Sequence, residues 1–478
     1  MSSQRARRIF LGLKELSRLL LIGCSMALGA KLKGHVLPKG SFSWPLIGET
    51  LSLLKPHPSN ASGFYFQHHS SRYGKVFKSH LFFTPTIVSC DQELNHFILQ
   101  NEGKLFQASF PRTFYGILGK YSVALAVGDA HKRLRGAFLS LVTPLKANPY
   151  FLKDLESFAI QILDSWKNKK QVRFCEEARK YTFFVMVKQV LGLSPDDPRT
   201  TRILTDFHPI LRGLISVPIN IPGTPYARAV KGRRRISSII KATIEERTRE
   251  KSENPLYGKN DILGKLIHLD ALSLDEKVSF ALDCLISGYE TTSKILSLLV
   301  HFLSQSPAAL EKLKVEHRNI RSIKKDNISL TLEDVKKMEF TQNVINETIR
   351  YGNTVQYLNR KALSDVRFKD YVIPSGWQVL PVFSAVHLDD SLHANASQFD
   401  PWRWEDQEQK SKNFFPFGGG VRYCPGSEAG RIELSVFLHH LVHNFRWEAK
   451  DVDQPIAYPY VDFQKGLPLA VESLNKTD

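Results

Sequence analysis

The residues with the clearest capacity for chemistry lie at 417–426, reading Phe-Gly-Gly-Gly-Val-Arg-Tyr-Cys-Pro-Gly. Three successive glycines, Gly418, Gly419 and Gly420, give the backbone access to positive φ, so it can lie against a flat ligand without Cβ clashes. Cys424 follows, its backbone fixed by Pro425, and Gly426 lets residues 427–445 begin as a helix near the sulfur. The first amides of such a helix favour the thiolate over a thiol of ordinary pKa, about 8.5. Arg422 supplies a fixed cation for a ligand carboxylate. A glycine-rich turn around one buried cysteine would account for the glycines alone. Phe417, Gly420, Arg422, Cys424 and Gly426 falling in one register points instead to a socket for one exposed sulfur beneath a large planar cofactor.

A second polar constellation interrupts an apolar segment. Ser273 and Glu276 have capping-box spacing, and an apolar run continues without proline to Ser306, before Pro307. A helix apolar nearly all round belongs in the middle of a fold. Its middle nevertheless reads Ser287, Gly288, Tyr289, Glu290, Thr291, Thr292. Buried polar groups cost free energy unless partnered. Satisfied hydroxyls and a snorkelling carboxylate would explain one such residue. Four together point to function, with Gly288 admitting a ligand to the backbone and Glu290 and Thr291 passing protons inward. Elsewhere, Glu347 and Arg350 sit at i and i+3 on one helix face, a spacing that by itself means an ion pair of little worth. Arg403 lies downstream in residues 399–403. His131 and Arg135 share a face of a helix over 128–138, which Lys132 and Arg133 equally suit to a solvated basic surface.

These stretches, in this order, resemble the cytochrome P-450 family, and the resemblance covers residues 38–472. It implies a mainly α fold with small β-sheets, one large helical domain whose long central helix lies over the haem. It implies Cys424 as the axial ligand of the haem iron, with Arg422, Arg135, His131, Arg360, Phe417, Gly420 and Gly426 around the cofactor. Glu290 and Thr291 become the catalytic pair of an oxygen-activation motif, with Ser287 where the family has Ala or Gly. Glu347, Arg350 and Arg403 become a Glu-Arg-Arg lock that braces the cysteine loop, a structural role. His131 stands where the family has tryptophan. Within the family, residues 76–106 and 360–405 look like plant brassinosteroid-pathway members, especially the C-22 hydroxylases of the steroid side chain. This implies a sterol substrate, with C-23 as the runner-up position, O2, and NADPH-derived electrons delivered by NADPH-cytochrome P-450 reductase. It also implies an endoplasmic reticulum membrane with the catalytic domain in the cytoplasm. The substrate walls would be Phe110, Phe114, Leu118, Leu214, Leu285, Ile286, Val355 and Phe463, residue types that mostly pack inside. Asn359 replaces a histidine usual in those relatives, and Gly430 falls inside a helix, where Ala is better by about 1 kcal/mol. A haem isomerase or dehydratase that needs no reductase, and a non-catalytic haem or steroid binder, are the readings from other classes. The intact Glu290-Thr291 pair argues against both.

The remaining sequence is consistent with one large domain. The 478 residues are 42% hydrophobic, with no compositional boundary after the N-terminus. We read residues 1–37 as an anchoring or surface segment and hinge, and 38–478 as the catalytic domain. The apolar run at 19–30 has twelve residues, short of the ~20 that span a bilayer. Residues 38–48, with Pro38, Gly40, Pro45 and Gly48, read as a stiff hinge. The 65 basic and 47 acidic residues give +18, which suits an anionic membrane surface or an acidic protein partner. No zinc-finger or RNA-binding spacing accompanies that charge, so nucleic acid is excluded as a partner. Five scattered cysteines read as free thiols. Residues 74–90 predict two or three strands. Residues 201–235 carry Pro209, Pro218, Pro222 and Pro225, which predict broken helices forming a mobile lid or a loop over the core.

Overall fold

The computed structural model of the protein describes residues 36–43, 48–253, 260–324, 329–406, 413–450, 452–458 and 460–474. The apolar run at 19–30 lies outside them. No helix among the described residues is long and apolar enough to cross a membrane.

The molecule is mainly helical, and the helix Leu274–Ser304 runs through its centre. Its start is the expected capping box: the Ser273 hydroxyl takes the Glu276 N–H, and Glu276 Oε2 takes the Ser273 N–H at 2.9 Å. The helix belongs to two cores in succession. Leu282, Leu285 and Tyr289 pack with the helices Pro198–Leu214 and Pro225–Glu253. Leu296, Leu299 and Leu303 pack with Glu339–Gly352 and Ser427–Asn444. The polar patch at 287–292 falls at the changeover. Beside it runs the helix Phe174–Leu191, whose Thr182 hydroxyl donates to Tyr289 O at 3.1 Å. Gly288 is what allows this approach, because a Cβ there would lie 2.3 Å from Met186 Sδ. Gly288 therefore serves close helix packing against Met186.

The expected strands at 74–90 form a hairpin, Val76–Leu81 with Thr84–Ser89. The second strand pairs in parallel with Gln378–Pro381, and the sheet continues through Arg360–Ala362 to Phe106–Ala108. That last pairing sets Ala108 opposite Arg360. The hinge at 38–48 is bound to this sheet at its start. Gly40 bridges to Lys78, and a Cβ on Gly40 would come within 2.1 Å of Lys78 O.

Residues 201–235 differ from expectation. Pro209 sits inside the helix Pro198–Leu214 without ending it, and Pro225 starts the helix Pro225–Glu253. Proline at a first turn costs no hydrogen bond, so Pro225 favours its helix. At Pro209 the buried residues Ile203, Phe207, Ile210 and Leu214 continue across the break, and packing outweighs the one lost hydrogen bond. Only Pro218 and Pro222 lie in a connecting loop, where Ile215, Val217, Ile219 and Ile221 are all exposed.

Candidate active site

The cysteine loop takes its shape from two glycines rather than three. Gly418 has φ +74 and Gly420 φ +61, while Gly419 is extended at φ −166, an angle that does not by itself require glycine. Gly420 is also sterically required, since a Cβ there would lie 2.1 Å from Leu99 O on the helix Gln92–Gln100. The Cys424 N–H donates to Phe417 O at 3.0 Å and closes the loop. Burial pushes the Cys424 thiol up, opposed by the amides of Gly426 and Ser427 and by the Arg135 charge. In the protein alone burial outweighs the helix-start amides, contrary to the sequence expectation. A coordinating cation reverses that balance, because it deprotonates a thiol outright. Cys90 and Cys175 are buried more deeply and pushed up to about 12 by desolvation, and burial raises Cys284 well above the ordinary thiol range. Among the described cysteines, Cys424 is the partly exposed one.

Charged groups gather beside this loop. Arg422 Nε donates to Glu102 Oε1 at 2.6 Å, and its other nitrogens donate to Ala124 O at 3.1 Å and Ala126 O at 2.5 Å. Arg360 Nε lies 2.8 Å from Glu102 Oε2. Arg135 donates to Tyr423 O. Buried His131 is pushed down to about 4 by desolvation and then by Arg422 and Arg135, so it is neutral at physiological pH.

The lock residues meet in a buried knot. Arg350 grips Glu347 with two hydrogen bonds of 2.9 and 2.7 Å, and Arg403 Nε adds a third at 3.1 Å. Trp404 Nε1 donates to Glu347 Oε2 at 2.9 Å, and Asp400 N–H to Oε1 at 2.9 Å. The connection to the cysteine loop is direct: Arg350 donates to His387 O at 2.7 Å, and His387 Nε2 accepts the Phe415 N–H at 3.1 Å. Phe417 then lies under the Arg431 guanidinium, 5.0 Å from the ring centre.

On the central helix, Ser287 and Thr291 are exposed while Leu285, Tyr289, Thr292 and Ser293 are buried. The Thr291 hydroxyl donates to Ser287 O at 2.8 Å, and the Ser287 hydroxyl to Asp283 O at 2.7 Å. With its proton spent on the helix, Thr291 presents an acceptor oxygen to the open face. Glu290 is turned about 100° from Thr291 by helix geometry and ion-pairs with Lys294 at 2.8 Å. The two residues expected to work as a pair therefore face different surroundings. On the helix that follows Cys424, a Cβ on Gly430 would be 4.0 Å from Thr292 Oγ1, so that helix packs against the central helix beside Thr291.

A model of the family described as Cytochrome P-450 matches residues 38–464. The chain belongs to the cytochrome P-450 family. It is 58% identical over 445 residues to cytochrome P-450 724B1 of Oryza sativa subsp. japonica, covering 91% of this protein and 92% of that one. It is 41% identical over 457 residues to a steroid (22S)-hydroxylase of the same organism, covering 94% and 90%. Among solved structures, it is similar to a retinoic acid bound cyanobacterial CYP120A1, with a TM-score of 0.81, 25% identity, and coverage of 92% of this protein and all of that one. This cytochrome P-450 is thus a monooxygenase related to plant steroid hydroxylases, of a family that works with haem, O2 and a redox partner.

The residues present fit a haem. A Cβ on Gly418 or Gly426 would meet nothing within 4 Å, leaving a flat cradle beside the Cys424 sulfur. Arg422 lies within this loop, Arg135 is bound to Tyr423 O beside Cys424, and Arg360 joins Arg422 through Glu102, so the site carries the guanidinium donors that carboxylates need. Of the expected substrate walls, Leu118, Leu214 and Leu285 are buried in one cluster, with Phe110, Phe114 and Ile286 packed against it. The Phe110 and Phe114 ring centres are 5.3 Å apart. Phe463 does not join them: it belongs to the other core, 5.2 Å from the His301 ring. Val355 also stands outside the cluster and is 46% exposed.

Two residues near the site, Glu102 and Asp283, carried no sequence signal, whereas Lys294 was legible as the i+4 partner of Glu290. Burial pushes Asp283 up to about 7, against a 2.7 Å bond from the Val123 N–H and the charge of Arg233. A carboxyl raised from 3.8 in the fold binds more protons folded than unfolded between those values. Its contribution to stability is therefore complete below about pH 4 and lost as pH rises through about 7. Asp283→Asn should melt like the parent near pH 4 and increasingly above it as pH rises, by up to about 4 kcal/mol. Melting curves compared across pH check this, and a difference independent of pH would refute it.

Proposed function

We propose that this monooxygenase hydroxylates the side chain of a sterol or steroid, with C-22 the preferred carbon. The observation that carries the position is the likeness to a steroid (22S)-hydroxylase along 94% of the sequence. The apolar cluster of Phe110, Phe114, Leu118, Leu214, Leu285 and Ile286 supports a large rigid apolar substrate. Such a wall binds by area and separates neighbouring carbons by only about 1–3 kcal/mol per methylene, so position depends on how the sterol is aimed. Electrons come from NADPH-cytochrome P-450 reductase, which the basic excess of the protein suits. The exposed apolar residues Ile215, Val217, Ile219 and Ile221 support seating on the endoplasmic reticulum membrane, with this domain on the cytoplasmic side.

When bound, haem supplies the iron that activates oxygen; the protein supplies placement. Cys424 would ligate the iron, Arg135, Arg360 and Arg422 would hold the propionates, and the apolar walls would exclude water. Thr291 Oγ1 offers an acceptor that orders water on the open face of the central helix. Thr291→Ala should keep haem and sterol binding but consume NADPH without matching product, lowering coupling about tenfold or more. Unchanged coupling would move the role to Thr292 or to water alone. The test of the function is a reconstituted assay with reductase and a panel of plant sterols, read by mass spectrometry. Products hydroxylated only at ring carbons, or preference for fatty acids over every sterol, would defeat it.

A further inference from the structure

Glu102 is the anion of the charged cluster, and no motif singles it out. Its carboxylate lies between two guanidinium groups, 2.6 Å from Arg422 Nε and 2.8 Å from Arg360 Nε. The Ala108 N–H donates to Oε1 at 2.9 Å, fixing the carboxylate from its own stretch of backbone. The Glu102 and Arg360 side chains are each only 4% exposed. Arg135 completes the group through its bond to Tyr423 O, next to Cys424. His131, among all four, is kept neutral. Two neighbouring buried guanidinium groups repel strongly at low dielectric unless an anion separates them.

We propose that Glu102 is a positioning residue that holds Arg360 and Arg422 side by side and trims the cluster to the charge that the two propionates of a haem neutralise. Three guanidinium groups and one carboxylate leave two positive charges, against two negative charges on the cofactor. Donors remain for those propionates. A guanidinium has five N–H groups. Arg422 donates from three nitrogens to Glu102, Ala124 O and Ala126 O, and Arg360 donates from one to Asn359 O. Arg360 Nε and Glu102 Oε2 are both buried and lack an aligned hydrogen bond despite their closeness, so charge rather than a directed bond holds that pair.

The test uses the haem-loaded protein and reads the cofactor, not turnover. Glu102→Gln keeps the shape and an oxygen for the Ala108 N–H but removes the charge. It should shift the iron midpoint potential to more positive values and speed haem transfer to an acceptor globin about tenfold, which corresponds to about 1.4 kcal/mol. Glu102→Asp, which keeps the charge, should retain the parent potential. In Glu102→Gln/Arg360→Gln two positive charges remain, and both effects should revert toward the parent. A residue that merely anchors the turn would leave the Gln variant unchanged, and that result overturns the proposal, as does a double variant that loses haem faster than the single one. Should Glu102→Gln alone yield no haem-loaded protein, recovery in the double variant supports the proposal and continued loss refutes it. The inference rests on haem binding alone, so failure to hydroxylate any sterol would leave it standing.

Discussion

Cys424→Ala should abolish the red-shifted Soret band of the reduced, CO-treated protein, and all turnover with it, whereas Cys90→Ala, Cys175→Ala and Cys284→Ala should each retain the band. The physical basis is the contrast between the four thiols among the described residues. The last three sit in packed cores where burial raises Cys90 and Cys175 to about 12 and Cys284 well above the ordinary thiol range, and the nearby charges of Lys75 at Cys90 and Arg179 at Cys175 do not offset it. Cys424 is partly exposed, has the amides of Gly426 and Ser427 and the Arg135 charge to favour the thiolate, and adjoins open space at Gly418 and Gly426. A thiolate-type band surviving in Cys424→Ala would overturn the assignment, and its loss in Cys284→Ala alone would move the ligand to the central helix.

The second large effect falls on the lock. Glu347 accepts five hydrogen bonds, from Arg350 twice, Arg403, Trp404 and the Asp400 N–H, with no solvent exposure. Removing one member of a buried ion pair leaves an uncompensated charge and costs about 3–5 kcal/mol, and Glu347→Ala strands two guanidinium groups at once. We expect little or no folded, haem-loaded protein from it, measured as spectral yield per polypeptide and as melting temperature. Glu347→Gln keeps the shape and should fall between. Because Arg350 reaches His387 O and His387 takes the Phe415 N–H, loss of the lock should loosen the segment leading into the cysteine loop. A Glu347→Ala protein with normal haem content and melting would remove any bracing role.

Features whose information is local were legible in the residues alone. The capping box at Ser273, the long apolar helix it starts, the glycine-dependent turn at 418–420, and the pairing of Glu347 with Arg350 each depend on residues a few positions apart. Spacing and residue type suffice there, because helix faces and turn angles repeat in every protein. The rest came only with the folded arrangement, because it turns on partners far away along the sequence. Arg422 and Glu102 are 320 positions apart, and nothing near either one announces the other. Gly288 meets Met186 of a helix far back in the sequence. Phe463 and Leu285 are equally apolar in sequence, yet only the packing of two separate cores places one by the candidate substrate walls and the other behind the central helix. Apolar pattern tells which residues leave water, since burial follows the chemistry of the residue. It cannot tell which core receives them, since the hydrophobic effect is non-directional.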